Sequence, residues 1–385
     1  MFTHLLTSRR IGAKKSLSFL GLSSSQSICC YSSSRRLKKH QLFQITPEIQ
    51  NAVKENAPVV ALESTIIAHG MPYPQNLQMA KEVETIVREA GAIPATIAVM
   101  NGKIQVGLTE EQLEALATAG SQARKCSTRD LAVACAAGAL GATTVAATLV
   151  AARAAGVRVF VTGGLGGVHR GGELSLDVSA DLRELGRTPV AVVSAGAKSV
   201  LDVGRTLEYL ETEGVPVVGF GTDEFPAFFS PRSGRRAPAR LDSAAEVAAA
   251  LRASDLLGLQ QGMVIAVPNP EPMEGEKIEA AIQEALRDAD ARGVTGRDLT
   301  PFVLAEVDRR TGGASLRSNL ALVRHNAGVG ASIAVELSKL LKQEAAAASS
   351  SPASADRPWP AAAAASSSFD LRRALSKAGA APGAA

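Results

Sequence analysis

Residues 188–214, "TPVAVVSAGAKSVLDVGRTLEYLETEG", join two patterns and decide the fold class. The first part is a short apolar run typical of a buried strand, and from Lys198 onward the pattern is helical. Other strand-like runs alternate with helical patterns along the chain: "PVVALES" (58–64), "AIPATIAVM" (92–100), "KIQVGL" (103–108), "VRVFVTGG" (157–164), "GVPVVGFG" (214–221) and "GMVIAVP" (262–268). The alternation predicts a layered α/β/α single domain around a mainly parallel or mixed central sheet.

The two ends of the 385-residue chain differ in composition from its body. Residues 1–45 are rich in Ser, Lys and Arg and hold no acid, which predicts a disordered targeting leader. Its composition favours mitochondria, with plastid, peroxisome or cytoplasm as alternatives. Residues 343–385, rich in Ala, Ser and Pro, are predicted to be a disordered tail. Residues 46–342 contain no linker or repeat, so we expect one domain there.

Charge and motifs exclude several functional classes. Of 41 Lys and Arg residues, eight lie in residues 1–47, where none of the 37 Asp and Glu residues is found. The body is therefore slightly acidic and has no basic stripe for nucleic acid. No apolar run is long enough to span a membrane. From Gly164 the sequence runs G-x-G-x-x-H, which lacks the third glycine of a dinucleotide loop, and neither a P-loop nor a G-x-S-x-G motif occurs.

Polar residues that follow apolar strands are the candidates for chemistry, because ligands of α/β proteins gather at the carboxyl ends of strands. Lys198 is predicted to lie in the first turn of a helix, where the macrodipole disfavours its ammonium form and promotes attack on an aldehyde. The alternative is a solvated lysine beside Asp202. Apolar neighbours of Glu63 would raise the pKa of its carboxyl and make it a proton donor; the alternative is an ordinary solvated carboxylate.

Two further groups suggest ion and phosphate binding. Asp177 and Asp181, with Ser179 between them, offer hard oxygen ligands for Mg²⁺ or Mn²⁺, and a loop capped by side-chain hydrogen bonds is the alternative. The segments "KCSTRDLA" (125–132) and "GATTVAATLVAA" (141–152) place hydroxyl groups or a cation before a helical run. That arrangement holds phosphate, although simple helix capping explains it as well.

Taken together, seven blocks resemble the pseudouridine-5'-phosphate glycosidase family, also described as indigoidine synthase A-like. The resemblance covers residues from about 46 to 342 and rests on these blocks: "ALESTIIAHGMPYPQN", "KCSTRDLA", "GATTVAAT", "VFVTGGLGGVHRG", "DVSADLRELGRTPVAVVSAGAKSVLD", "GFGTDEFPAFF" and "AVPNP". It implies a glycosidase of the C–C lyase type that reversibly cleaves pseudouridine 5'-phosphate to uracil and ribose 5-phosphate, in pseudouridine catabolism. It also implies Mn²⁺ and a homotrimer.

The resemblance carries roles onto individual residues. The nucleophile that forms a Schiff base with ring-opened ribose falls on Lys198, the proton donor on Glu63 and the metal ligand on Asp177. Substrate contacts fall on the remaining matches: Lys125, Val145, His169, Ser179, Ala180 and Asp181.

Two other functions remain as alternatives at this point. One is a sugar-phosphate-binding protein without turnover, against which the presence of Glu63, Asp177 and Lys198 argues. The other is a bifunctional enzyme with an attached sugar kinase, for which the segment after Lys342 is too short and too polar. Late in the chain, residues 315–337 predict a long amphipathic helix that Gly328 and Gly330 weaken by about 1 kcal/mol each relative to Ala.

Overall fold

The computed structural model describes residues 41–296 and 299–350 of the chain. The strands of this part are β1 (Phe43–Ile45), β2 (Val59–Leu62), β3 (Ile93–Met100), β4 (Lys103–Val106), β5 (Arg124–Cys126), β6 (Gly141–Thr143), β7 (Val159–Val161), β8 (Val168–His169), β9 (Ala191–Ser194), β10 (Leu201–Asp202), β11 (Val217–Phe220), β12 (Ala239–Leu241) and β13 (Met263–Ala266). The helices are α1 (Pro47–Lys54), α2 (Thr65–His69), α3 (Gln75–Glu89), α4 (Glu110–Ala119), α5 (Leu131–Ala136), α6 (Val145–Ala155), α7 (Gly172–Ser175), α8 (Ala180–Leu185), α9 (Val203–Thr212), α10 (Ala244–Leu256), α11 (Gly275–Ala291), α12 (Leu299–Arg310) and α13 (Ala314–Ser350).

Eleven strands of the described residues form one sheet in the order β1-β4-β3-β2-β7-β9-β13-β11-β12, with β6 on β3 and β5 on β6. Every pair from β3 across to β12 is parallel, and β4 and β6 run antiparallel to β3. All residues of β2, β9 and β13 are buried, because helices cover both faces. The predicted layered α/β domain is confirmed, and each of the seven predicted strand runs contains a strand.

The edges of the domain differ from the predicted boundaries. Strand β1 lies before residue 46 and pairs with β4, from Phe43 opposite Ile104 to Ile45 opposite Val106. Helix α13 continues to Ser350, so residues 343–350 are helical although disorder was predicted for them. The rest of the predicted leader and of the predicted tail lies outside the described residues. In the ranges 41–296 and 299–350, no helix combines the length and the apolar character that a membrane span requires.

Helix α13 is continuous through both glycines that were expected to weaken it. Gly330 lies against the sheet: a Cβ at this position would be 2.2 Å from Val161 Cγ2, whereas at Gly328 it would meet nothing within 4 Å. Around them Leu322, Ala327 and Ile333 are fully buried. Packing of this face onto the sheet outweighs the low helix propensity of glycine, which is a small effect per residue.

Candidate active site

The carboxyl ends of three neighbouring parallel strands form the floor of the site. Leu62 at the end of β2 is in register with Val161 of β7, which is in register with Val193 of β9. The next residues on the first two strands are Glu63 and Thr162. This is the edge of the sheet where ligands of α/β proteins bind, as predicted from the sequence.

The position of Lys198 differs from the prediction. Helix α9 begins only at Val203, with Asp202 as its N-cap, so Lys198 does not lie in a first helical turn. It lies in the loop between β9 and β10, where its N–H donates to the Leu165 carbonyl at 3.0 Å and its carbonyl accepts from the Leu201 N–H at 3.0 Å. The predicted effect of a helix macrodipole on Lys198 is therefore wrong, and backbone pairing with the neighbouring loop fixes the lysine instead.

A close backbone contact shapes the turn that carries Lys198. Gly196 has φ +82°, and a Cβ there would lie 2.1 Å from the Pro226 carbonyl oxygen. The Phe228 N–H also donates to the Ala195 carbonyl at 2.9 Å. A glycine is required at residue 196 both by conformation and by space, and the turn holds Lys198 at the edge of the sheet.

Most of the predicted site residues meet in one cleft of about 590 Å³. Those that line it are Glu63, Lys125, His169, Asp177, Ser179, Ala180, Asp181 and Lys198. Val145 is the exception, since its side chain is buried at the start of α6, directly after the lining residue Thr144. Thr128 and Arg129 of the predicted phosphate segment 125–132 also line the cleft, together with residues that the sequence analysis did not single out: Thr65, Gly166, Arg183 and Arg187.

Glu63 is half-buried, and the positive charges of Lys198 and Lys125 act on its carboxyl. Burial raises the pKa of its carboxyl above the ordinary value, against the opposing charge of Lys198 and a hydrogen bond from the Thr162 hydroxyl to Oε1. The negative charge of Asp181 raises this pKa further, and the charge of Lys125, the smallest of these effects, lowers it. The direction is the one that the sequence predicts. It favours a carboxyl that exchanges a proton nearer to neutral pH than a solvated glutamate does.

His169 lies next to Asp177, in a short antiparallel pair of strands that does not itself include the aspartate. It lies on β8, in register with Leu201 of β10, and its N–H donates to the Asp177 carbonyl at 3.0 Å. Burial lowers the pKa of the imidazole; Asp177 opposes this shift, and the charges of Lys125 and Lys198 add to it. At neutral pH the imidazole is therefore expected to be neutral, able both to donate and to accept a hydrogen bond.

The Asp181 carboxylate has a structural task that the sequence did not reveal. Its Oδ1 accepts from the Ala146 N–H in the first turn of α6 at 2.9 Å, and its Oδ2 accepts from the Gly166 N–H at 2.9 Å. Ser179 caps α8 by accepting from the Asp181 N–H. Both oxygens of this buried carboxylate thus join a helix start to the glycine-rich loop, and a charged acceptor strengthens both bonds.

The two predicted phosphate segments lie side by side. Strands β5 and β6 are parallel, with Lys125 opposite Ala142, and the Thr144 N–H donates to the Cys126 carbonyl at 2.9 Å. The lysine consequently lies close to the start of α6 at Val145. A lysine beside a helix N-terminus is suited to an anion, since both contribute positive potential.

The donor set suits only an open metal site. In the residues that the structure describes, no group of three or more His, Cys, Asp or Glu side chains is placed to hold a metal ion. The oxygens of Asp181 already accept backbone N–H groups, which leaves Asp177 as the cleft carboxylate next to His169. One carboxylate with several waters suits a hard cation such as Mg²⁺ or Mn²⁺, which retains water readily.

Comparisons with known proteins cover nearly the whole described chain. Residues 48–336 match the family model described as "Indigoidine synthase A like protein". A pseudouridine-5'-phosphate glycosidase of a Nocardioides species is 57% identical over 303 residues, 78% of this chain and 98% of the relative. The glycosidase of that name from Arabidopsis thaliana is 53% identical over 306 residues, 79% of this chain and 93% of the relative. Among solved structures, a prealnumycin C-glycosynthase in complex with ribulose 5-phosphate matches with a TM-score of 0.73 and 39% identity, covering 79% of this chain and 99% of that one.

Proposed function

The chain belongs to the indigoidine synthase A-like family, and from this membership and the composition of the cleft we propose that it is a pseudouridine-5'-phosphate glycosidase. It cleaves the C–C glycosidic bond of pseudouridine 5'-phosphate to uracil and ribose 5-phosphate, reversibly. The observation that carries the proposal is the meeting of Glu63, Lys125, His169, Asp177 and Lys198 in one cleft at the carboxyl ends of parallel strands.

The bond to be broken explains why a lysine is needed beside the carboxyl. It joins C1' of ribose to C5 of uracil, so there is no glycosidic oxygen or nitrogen to protonate. Glycosidases that cleave C–O bonds do have such an oxygen, and two carboxyl groups are enough for them. Cleavage of the C–C bond needs an electron pair at C1' that replaces the electrons taken by uracil. An amine bonded to C1' provides this pair, and it leaves the sugar after the C–C bond has broken.

Lys198 and Glu63 divide this work. The Lys198 amine displaces the ring oxygen from C1', and this oxygen takes the proton of the Glu63 carboxyl. The Glu63 carboxylate then removes a proton from the nitrogen that is now bonded to C1'. The nitrogen lone pair forms a C=N bond as the C1'–C5 bond breaks, the electrons of that bond move to uracil, and C5 takes the proton that Glu63 holds. Water hydrolyses the iminium, which releases ribose 5-phosphate and the neutral amine and returns a proton to Glu63.

The rest of the cleft binds the sugar phosphate. Lys125 and the backbone N–H of Val145 receive the phosphate, since the described structure places a cation and a helix start together there. The segment Ser179, Ala180 and Asp181 contacts the sugar, with Asp181 acting through the loop that it fixes. His169, as a neutral imidazole, exchanges hydrogen bonds with the sugar hydroxyls.

Asp177 would hold a Mn²⁺ ion at an open site. Such an ion would supply positive charge next to the sugar phosphate. The chain's own contribution is to hold the carboxylate in place, and the His169 N–H does so through the Asp177 carbonyl.

Assembly and location complete the proposal by family resemblance and leader composition. We propose a homotrimer that acts in mitochondria, with plastid, peroxisome or cytoplasm as the alternatives. Size measurement in solution and imaging of fusions with and without residues 1–45 test these two points.

The decisive experiment is incubation of the purified protein with pseudouridine 5'-phosphate and Mn²⁺, followed by chromatographic detection of uracil. Release that depends on metal and disappears in Glu63→Gln is the expected result. Pseudouridine without its phosphate is the matched substrate control and should be a much poorer substrate. Binding of ribose 5-phosphate without any uracil release would replace this proposal with the sugar-phosphate-binding alternative.

A further inference from the structure

Glu63 is held by a neighbour on the adjacent strand that has no part in the proposed chemistry. The Thr162 hydroxyl donates to Glu63 Oε1, and Thr162 is only 3% exposed. Because Leu62 and Val161 are in register, Glu63 and Thr162 are the first residues beyond the paired strands. The contact therefore follows directly from the register of β2 and β7.

Thr162 is in turn held by helix α13. The Asn326 Nδ2 donates to the Thr162 carbonyl at 2.9 Å and lies 3.5 Å from the Gly163 carbonyl. Asn326 is fully buried in the middle of the helix, next to Ala327. A buried amide costs free energy unless it is hydrogen-bonded. The buried face of α13 is otherwise largely apolar, so an asparagine at this position indicates that its hydrogen bond to the end of β7 has a role.

Two glycines allow the short Asn326 side chain to reach the strand. Gly330 brings the helix backbone against Val161, where a Cβ would be 2.2 Å from Cγ2. On the strand side, a Cβ at Gly163 would be 3.2 Å from Val323 Cγ2. On both sides of Asn326, a glycine of one element thus packs closely against a valine side chain of the other.

We infer that Thr162 and Asn326 are positioning residues for Glu63: the helix fixes Thr162, and the Thr162 hydroxyl fixes the orientation and ionisation of the Glu63 carboxyl. The inference deepens the proposed function and rests on Glu63 acting as its acid. The charged groups that face Glu63 from the other elements are Lys198, Lys125 and Asp181. The hydroxyl is a neutral donor that stabilises the carboxylate against burial, so its removal should shift the titration of Glu63 to higher pH.

Thr162→Val removes the hydroxyl at nearly constant volume, and Thr162→Ser retains it. We expect Thr162→Val to lower kcat about ten-fold or more through misplacement of the carboxyl, with the pH limb that reports Glu63 moved to higher pH. Thr162→Ser should remain within about three-fold of the wild type with an unmoved limb, because the donor is kept.

The matched control is Thr188→Val. Thr188 is also a fully buried threonine whose hydroxyl donates to a glutamate, Glu184 Oε1, at 2.7 Å, but neither residue lines the cleft. It should lose stability as Thr162→Val does and keep the wild-type pH profile. A profile that moves equally in both variants, or in neither, would overturn the inference.

Asn326 is tested in a double-mutant cycle with Thr162→Val. Asn326→Leu should reduce kcat, and the double variant should lose little more than Thr162→Val alone, because both act through one carboxyl. Asn326→Asp is the second variant if Leu prevents folding. If the double variant loses kcat by the product of the two single losses, Asn326 does not act through Thr162.

A measurement without substrate separates this inference from the proposed function. Carboxyl ¹³C resonances of labelled glutamate, with Glu63 assigned by Glu63→Gln, should show Glu63 titrating at higher pH in Thr162→Val than in the wild type. If the wild type releases no uracil but this shift is seen, the proposed function fails and the positioning stands. If the wild type is active and the titration is unchanged, the positioning role is wrong.

Discussion

The packing of helix α13 on the sheet gives a prediction with opposite signs at two nearby glycines. Gly330→Ala places a methyl group 2.2 Å from Val161 Cγ2 and 3.7 Å from Val193 Cγ2. Val161 is 2% exposed and Val193 is fully buried, and a β-branched side chain has few alternative rotamers. The contact is therefore relieved only by movement of the helix or of strand β7.

The magnitude follows from two opposing effects. Overpacking of a filled core costs about 1–3 kcal/mol, and a separation this short belongs at the upper end. Alanine recovers about 1 kcal/mol of helix propensity relative to glycine. Gly330→Ala should thus lower the free energy of unfolding by about 2 kcal/mol. Gly328→Ala meets nothing within 4 Å and should raise the free energy of unfolding by about 1 kcal/mol.

Urea unfolding of the two variants and the wild type measures these changes. The midpoint should fall for Gly330→Ala and rise for Gly328→Ala, with similar slopes. Uracil release should also fall in Gly330→Ala alone, because Asn326 lies one turn before the displaced contact. Equal stabilisation by both alanines would show that the close approach of the helix to Val161 does not exist in solution.

The other predictions concern the cleft. Borohydride reduction with ribose 5-phosphate should attach the sugar to the peptide that carries Lys198. Both Lys198→Ala and Lys198→Arg should abolish label and turnover, because a guanidinium cannot form an iminium. Substantial activity of the Arg variant would contradict the covalent mechanism. Asp177→Ala should keep the fold and lose most activity at limiting Mn²⁺, measured by metal titration of the rate, and an unchanged metal dependence would contradict the assignment. Burial raises the pKa of Glu63 in the folded protein. The protonated Glu63 side chain therefore adds to the free energy of unfolding at low pH, and this contribution is lost as pH rises through that pKa. Glu63→Gln should accordingly resist urea better than the wild type at neutral pH, by a margin that shrinks on acidification, and an equal margin at all pH values would contradict the shift.

The long strands were predictable because each is an uninterrupted apolar run. Residues buried on both faces leave a strong signal, as in β3 and β9. Strands β8 and β10 have two residues each and leave none, since they exist only through the pairing of Leu201 with His169. A local pattern does not report a partner that lies 32 positions away in the chain.

The start of α9 shows the same limit with a chemical consequence. The sequence pattern predicts a helix from Lys198 onward, but the helix begins only at Val203. The segment before it pairs with the backbone of Leu165 and His169 instead. Tertiary backbone bonds override helix propensity here, which is weak at any single residue. Lys198 lines the cleft, as the sequence predicts, but it lies outside the helix whose macrodipole was expected to act on it.

Asp181 shows why residue type alone does not assign a role in such a cleft. A carboxylate at this position was read as a ligand or substrate contact, yet its oxygens accept the Ala146 and Gly166 N–H groups. A Cβ at Gly166 would lie 2.1 Å from Ser179 Oγ, so the glycine-rich loop and the acidic segment fit together only with glycine there. In the loop that resembles a dinucleotide motif, Gly166 is therefore required by packing against Ser179 and Asp181, whereas Gly164 is confined by Phe228 and Gly167 by Thr206. The carboxylate joins the start of α6 to the loop, and replacing Asp181 would disturb both sides of the cleft before it removed any direct substrate contact.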